Sequence, residues 1–327
     1  MGVKIMLNNY NYFLVLSEEL NITSAAKRLF ISHQCLSKYI KSLEEKYGIT
    51  FFVRKPKFSL TPAGKIMLET LRRIELEEQN LENQLIDIKE SKSGTINFGI
   101  TEGRYSILVP KLLKEFHDLY PKVELNIFRE TSPKMQEMVL DNSLDLFLSG
   151  TSNITTTDLK YQVLLNEQMY VVISDNLLKK YFPDNYTEYK SMFKKGVDLR
   201  LLQEIPFVLN KRNFNSRILL DRHLAELGIS LNCISELTQP DIHYLLCAED
   251  YAACFCLTMY LSGINQLNES SSSDSFLNVF PIANFTAENP LALIYHKSKK
   301  FPSYMEDFKK IIKKYCIPYS PGAKESL

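Results

Sequence analysis

Between Thr23 and Tyr47 the chain holds two helical patterns separated by almost nothing, and no other stretch narrows the choice of fold as far. The first pattern runs from about Thr23 to Leu29, with Ala25, Ala26 and Leu29 on one apolar face. Ser32 is then placed to cap a second helix, in which Leu36, Ile40 and Leu43 recur at steps of four and three. Two alanines let the helices approach closely, and the opposite face of the second carries His33, Gln34, Ser37, Lys38 and Lys41. A helix-turn-helix needs such a pair, because its second helix must enter the major groove and offer amide, hydroxyl and ammonium groups to base edges and phosphates. An ordinary amphipathic pair with a solvated outer face carries the same pattern, so the flanking residues decide. Gly48–Arg54 reads as a short apolar strand, Lys55, Pro56 and Lys57 as a tip, and Phe58–Gly64 as a return into another helix. That is a two-stranded wing with a basic tip.

Charge supports the same reading once it is followed along the chain. The formal net charge is only +1, yet residues 21–73 hold eleven Lys/Arg against three acids, while residues 74–93 hold six acids against two lysines. The basic block coincides with the helix pair and wing, as a phosphate-binding footprint should.

The residues Ala25-Ala26, Ile31-Ser32, Leu36-Ser37-Lys38, Ile40–Glu45, Gly48, Phe51–Arg54 and Leu60–Gly64 together resemble the winged helix-turn-helix of LysR-type transcriptional regulators, without gaps over roughly the first 65 residues. By position in that motif, the resemblance implies that His33, Gln34, Ser37 and Lys38 face the major groove, with Lys41 on the same face. Arg54 would support the wing, and Lys57 would lie near its tip.

From Pro62 to about Lys92 the residues Met67, Leu71, Ile74, Glu78, Leu81, Leu85 and Ile88 alternate at steps of four and three, the signature of a helix that pairs with another helix. A helix lying on its own domain shows such a stripe too. The length, the sustained period and the charged remainder favour a coiled-coil dimer through Leu71, Ile74, Leu81, Leu85 and Ile88, with Glu78 setting register. The resemblance also implies a dimer linker helix here.

A second architecture begins at Thr95. Strand, helix, strand, helix, strand follow to Ser149, an order that indicates a parallel α/β sheet. Gln168–Ser174 is a further strand that carries the chain into a second lobe of alternating strands and helices between Ile205 and Leu257. Leu267–Ser275 reads as a polar surface loop, and the strand Leu291–Tyr295 with the helix Tyr304–Tyr315 as a return to the first lobe. The predicted division is therefore 1–61 winged helix-turn-helix, 62–93 linker helix, 94–168 lobe I, 169–268 lobe II, 269–318 return to lobe I and 319–327 tail. The fold class is α/β. Thr95–Ile100, Pro110–Phe116, Tyr120–Leu125 and Ser143–Leu148 resemble the first lobe of the LysR effector domain, which is similar to periplasmic binding proteins. The chain departs from that family at 248–256, where Ala248-Glu249-Asp250-Tyr251 stands in place of a glycine-rich turn.

A cleft between two such lobes collects strand ends and helix N-termini, a usual place for small ligands. Thr101, Glu102, Gly103 and Arg104 follow the first strand, Gly150 and Thr151 the third, and Asn210 and Lys211 a strand of lobe II. The expected ligand-binding residues are Thr101, Glu102, Gly103, Thr151 and Asn210, although each could equally be an ordinary cap or turn residue. Arg104 and Lys211 would add positive charge, and Glu102 would face solvent or pair with Arg104. The ligand is then a small carboxylate or phosphate, or an uncharged metabolite.

Other chemistry finds little footing. Gly99-x-x-x-Gly103 lacks the lysine of a phosphate loop, and the five histidines have no metal-ligand spacing. The six cysteines are too scattered for a disulfide framework. They read as reduced, with Cys254 and Cys256 as core residues of an apolar strand, or as supplying a redox pair drawn from Cys233, Cys247, Cys254 and Cys256. No catalytic residue, metal or cofactor is expected. No apolar run reaches the roughly 18 residues of a membrane span and no signal-peptide core opens the chain, so a cytoplasmic protein is expected. The reading is a LysR-type regulator that binds double-stranded DNA at inverted-repeat promoter sites, as a homodimer or a homotetramer built through its effector lobes. The rival is a two-lobed solute-binding protein or small-molecule enzyme without DNA binding. The missing signal peptide opposes the first, the missing catalytic constellation the second, and the basic block both.

Overall fold

The computed structural model describes residues 10–88, 93–152, 154, 156–270 and 276–320, the side chains of Asp87 and Ile88 excepted. They form two compact units. The first holds α1 (Tyr10–Glu19), α2 (Ile22–Arg28), α3 (His33–Tyr47), the two-residue strands β1 (Phe52–Val53) and β2 (Ser59–Leu60), and the long α4 (Pro62–Ile88). Its core gathers Phe13, Leu16, Ala25, Leu36, Ile40 and Phe52. Ala25 and Leu36 are fully buried, so the small and large residues that suggested a close helix pair do pack together.

The two ends of α4 have different surroundings. Leu71 is buried in the core of the helix-turn-helix, and Met67 and Ile74 pack against it. The Tyr10 hydroxyl donates to the Glu78 carboxylate. Leu71, Ile74 and Glu78, expected in an intersubunit seam, are therefore engaged within the chain. The stripe fits both partners because periods of 3.5 and 3.6 diverge little over two turns. Farther along, Leu81 is 46% exposed and Leu85 half-buried; the Ile88 side chain lies outside the described residues. Asn80, off the stripe, is buried where its amide donates to the Ser298 carbonyl (2.9 Å) and accepts from the Lys300 N–H (2.8 Å).

The second unit contains two five-stranded sheets. Lobe I is built from β3 (Ser93–Ile100), α5 (Glu102–Leu119), β4 (Lys122–Arg129), α6 (Ser132–Leu140), β5 (Leu146–Gly150) and β6 (Leu159–Glu167). Lobe II follows with β7 (Met169–Ser174), α7 (Asp175–Tyr181), α8 (Tyr186–Phe193), β8 (Pro206–Asn210), α9 (Asn215–Leu227), β9 (Asn232–Leu237), α10 (Pro240–Ala248), β10 (Ala253–Leu257), α11 (Leu261–Ser270) and β11 (Leu277–Pro281). The chain then returns to lobe I with β12 (Asn289–His296) and α12 (Ser303–Cys316). Lobe I has the order β4-β3-β5-β12-β6 and lobe II the order β11-β7-β10-β8-β9. In each, parallel strands meet antiparallel ones contributed after a crossing.

Two expectations change here. The return to lobe I does not begin at 269: β11 pairs antiparallel with β7, and Val197 bridges Ile282, so lobe II extends through these residues. The polar stretch from Leu267 is helical as far as Ser270, because α11 buries Ile264 and packs Leu267 on the lobe II core; residues 271–275 lie outside the described set. At the turn where the family has glycine, Asp250 itself adopts a left-handed conformation (φ 58°). Its carboxylate accepts from the Ser174 hydroxyl (2.5 Å) and the Asn176 amide (2.7 Å), bonds that hold a residue with a Cβ there.

Candidate nucleic-acid interface and ligand cleft

The outer face of α3 is set by its ends. Ser32 caps the helix, its hydroxyl accepting from the Cys35 N–H at 3.1 Å, and Gly48 ends it with φ 64°. With Leu36 and Ile40 turned inward, His33, Gln34, Lys38 and Lys41 are exposed and Ser37 is half-buried. His33, Gln34 and Lys38 have no hydrogen-bond or ion-pair partner among the described residues, while Lys41 lies 3.6 Å from Glu45 one turn on. The wing is tied back to this helix by a residue that sequence reasoning passed over. Glu44 Oε1 accepts from the N–H groups of Phe51 (2.8 Å) and Phe52 (3.2 Å), and its Oε2 lies 3.8 Å from Arg54. Thr61 donates to the Thr50 carbonyl at 2.7 Å and accepts from the Gly64 N–H at 3.0 Å. A Cβ at Gly64 would stand 2.1 Å from the Phe51 carbonyl oxygen, which explains a glycine in the first turn of a helix. Lys55 and Lys57 project from the tip, exposed.

In the second unit a cavity of about 390 Å³ lies between the two sheets of the effector lobes, at the ends of β3, β4, β8 and β9. Thr101, Glu102, Gly103 and Asn210 line it. Thr151 does not: its N–H donates to the Pro290 carbonyl and its own carbonyl accepts from Ile154, an ordinary turn at the end of β5. Arg104 points inward from α5. It donates to the Thr101 hydroxyl oxygen at 3.0 Å and pairs with Glu167, both charged side chains being almost fully buried. Burial works against the Arg104 charge, but Glu167 outweighs it and holds the guanidinium above its ordinary pKa. Glu102 pairs with Arg129 at 3.0 Å rather than with Arg104. Gly103 serves packing, since a Cβ there would lie 2.2 Å from the Tyr260 hydroxyl.

Several lining residues had no place in the sequence reading. Ser132 opens α6, Arg217 rises from α9 to pair with Asp221 (2.7 Å) and Glu236 (2.9 Å), His243 sits on α10, and Asn289 begins β12. The strand-end argument that found Thr101 and Asn210 applies equally after β4 and β9, and would have reached Ser132 and the start of α10. His243 is 1% exposed, and burial pushes its imidazole down to about 4 despite the opposing Leu237 carbonyl and Asp241. Cys247 and Cys254 are core thiols, and burial raises Cys254 well above the usual range, away from the reactive thiolate. No metal-holding cluster occurs among the described residues, and no helix there is long and apolar enough to cross a membrane.

Comparison with known proteins identifies both parts of the chain. Residues 7–65 match the family described as bacterial regulatory helix-turn-helix protein, lysR family, and residues 89–317 match the LysR substrate binding domain. The HTH-type transcriptional regulator YtlI of Bacillus subtilis is 27% identical over 84% of this chain and 82% of its own length. A probable nitrogen assimilation transcriptional activator of Synechococcus elongatus is 24% identical over 70% of this chain and 71% of its own. Among solved structures, a full-length OxyR variant from Pseudomonas aeruginosa superposes with a TM-score of 0.63 at 17% identity, covering 93% of this chain and 96% of that one. Full-length CbnR complexed with its target DNA gives 0.53 at 17% identity, covering 93% and 98%.

Proposed function

The chain belongs to the LysR family of transcriptional regulators, and from that premise we propose how its parts divide the work. It is a DNA-binding regulator with an effector-binding domain, and its relatives are regulators rather than enzymes or solute carriers. The head, 1–61, reads inverted-repeat promoter DNA in the cytoplasm through His33, Gln34, Ser37 and Lys38, with Lys41 and Lys57 on phosphates and Arg54 steadying the wing. The linker helix, 62–93, pairs two chains through its far half, around Leu81 and Leu85, and the lobes extend the dimer to a tetramer. A small carboxylate-bearing effector occupies the cleft at Thr101, Glu102, Gly103 and Asn210. It acts by binding one arrangement of the lobes more tightly than the other, since a ligand of equal affinity shifts nothing.

The observation that supports DNA reading most is the outer face of α3, where His33, Gln34 and Lys38 stand exposed and without a side-chain partner among the described residues, beside a basic wing. Mobility-shift titrations at several salt concentrations test it. Gln34→Ala costs about 1–3 kcal/mol on the preferred site and little on random DNA. Lys57→Ala weakens both and lowers the salt slope by about one phosphate unit. Equal losses on both DNAs for Gln34→Ala would remove that residue from base reading.

A further inference from the structure

The cleft carries polar groups that narrow the chemistry of what it binds. Its buried cations are already neutralised: Arg104 by Glu167, Arg217 by Asp221 and Glu236, and nearer the surface Arg129 by Glu102. The two remaining charges of the lining, Lys211 and Glu130, are both exposed, of opposite sign and unpartnered among the described residues. A simple anion entering this cavity therefore meets no uncompensated positive side chain in its interior.

The buried atoms that lack a protein partner point in a second direction. His243, Asn210 and Asn289 line the cavity, and His243 Nε2, Asn210 Oδ1 and Asn289 Oδ1 are buried with no donor directed at them among the described residues. For His243 burial keeps the ring neutral, and the Leu237 carbonyl beside it favours the proton on the other nitrogen, so that Nε2 keeps its lone pair and accepts. Asn210 is oriented by its amide N–H, which donates to the Ser216 hydroxyl at 2.9 Å. Buried acceptors without donors are costly, and a ligand bearing N–H groups relieves them. The opening turns of α5 and α6 line the same cavity, and there the Glu102 and Gly103 N–H groups and the helix dipoles favour a carboxylate, although the Arg104 N–H already donates to the Thr101 carbonyl and Pro133 has none. Ser132, 8% exposed, adds a hydroxyl that has no partner among the described residues.

We propose that the cleft takes a net-neutral zwitterion, a free α-amino acid, whose carboxylate lies at the α5 and α6 N-termini with Ser132 and whose ammonium is received by His243, Asn210 and Asn289. The proposal rests on reading the cleft as the effector site. Sulfate, phosphate or a simple carboxylate would satisfy the helix ends but turn its oxygens toward three acceptors. An amine without a carboxylate would face the helix ends. A cavity of about 390 Å³ accommodates a large amino-acid side chain beyond both groups.

The test uses the full-length protein and a defined set of probes: the twenty L-α-amino acids one at a time, sulfate, phosphate, acetate, and the 2-hydroxy acid matching the tightest amino acid. Thermal unfolding screens the set and calorimetry measures affinity. One amino acid is expected to raise Tm by roughly 5 °C at about 100 times its Kd. Its 2-hydroxy counterpart and the three simple anions bind at least tenfold more weakly. His243→Phe and Ser132→Ala each lower affinity at least tenfold, whereas His243→Gln, which keeps an acceptor, retains it and so controls for folding. If a simple anion binds as tightly as any amino acid, or if none of the twenty binds, the zwitterion is overturned. Anion binding that Ser132→Ala abolishes would leave the cleft as the effector site. Binding of any probe that neither Ser132→Ala nor His243→Phe weakens would overturn the cleft reading as well.

Discussion

On the outer face of α3, Lys38 has no carboxylate partner among the described residues, and neither have the wing lysines Lys55 and Lys57; in the candidate cleft, Arg104 and Arg129 are each closed by one carboxylate and Arg217 by two. The two regions hold cations for different ends. A surface that meets a polyanion gains from every uncommitted positive charge, because each phosphate neutralised releases counterions to solvent. A cavity that must choose one small molecule gains more from groups already fixed in place, so that little rearranges when the ligand arrives. Unpaired charge in the head faces water and costs little. The same charge unpaired in the cleft would be expensive.

That contrast is most directly broken by removing one member of a pair in each region. Arg104→Met leaves Glu167 buried and alone, and should lower the urea stability of the effector lobes by about 3–5 kcal/mol. Arg54→Ala, which removes an exposed partner of Glu44, should cost about 1 kcal/mol or less. Converting the cleft pair together, Arg104→Met with Glu167→Leu, should recover much of the loss. If Arg104→Met were as mild as Arg54→Ala, the cleft would not be the desolvated region described above.

The linker helix allows a second comparison within one element. Leu71→Ala should destabilise the head by about 2–5 kcal/mol, because it opens a cavity in a closed core. Leu81→Asp should leave the stability of the head almost unchanged. It should instead shift sedimentation toward monomer at low micromolar concentration, by burying an unpaired charge between chains. An unchanged mass for Leu81→Asp would place the dimer contact elsewhere.

The smallest expected effect concerns two residues held in left-handed backbone. Phe30 (φ 56°) is 96% exposed, so its ring packs on nothing and its conformation is unrewarded. Phe30→Gly should raise stability by up to about 1 kcal/mol. Asp250→Gly removes similar strain but also the bonds from Ser174 and Asn176, and should be neutral or destabilising by about 1 kcal/mol. Thermal unfolding of the two variants decides whether the side chain of Asp250 offsets its backbone.

The head was legible because its information is local. Ser32, Leu36, Ile40 and Gly48 lie within seventeen residues, and each states its role by spacing or by residue type. The cleft was legible only where one rule was applied to one strand at a time. Thr101 and Asn210 emerged, while Ser132, His243 and Asn289 did not, because their convergence depends on five strands brought together by topology. The linker stripe misled at Leu71 and Ile74 for a related reason: periodicity shows that a face is buried but not by what. Similarly, the serine-rich stretch near 270 resembled a domain boundary, although β11 still pairs in the sheet behind it. The alternation of β6 was missed because, as an edge strand, it leaves Tyr161 and Val163 half in solvent.

Lobe II leaves lobe I after Glu167 and comes back at Asn289, and these two residues sit opposite each other on neighbouring strands. Everything between them is one uninterrupted stretch of chain with its two ends held a strand's width apart. A genetic exchange that replaced this stretch with the corresponding one from a relative would need only two joints, both on the same pair of strands. It would substitute the wall bearing Asn210 and His243 while retaining the wall bearing Thr101 and Ser132. On the proposed reading of the cleft, recognition of the effector is thus inherited in two separable halves, and new specificities arise by recombining walls as well as by changing residues one at a time.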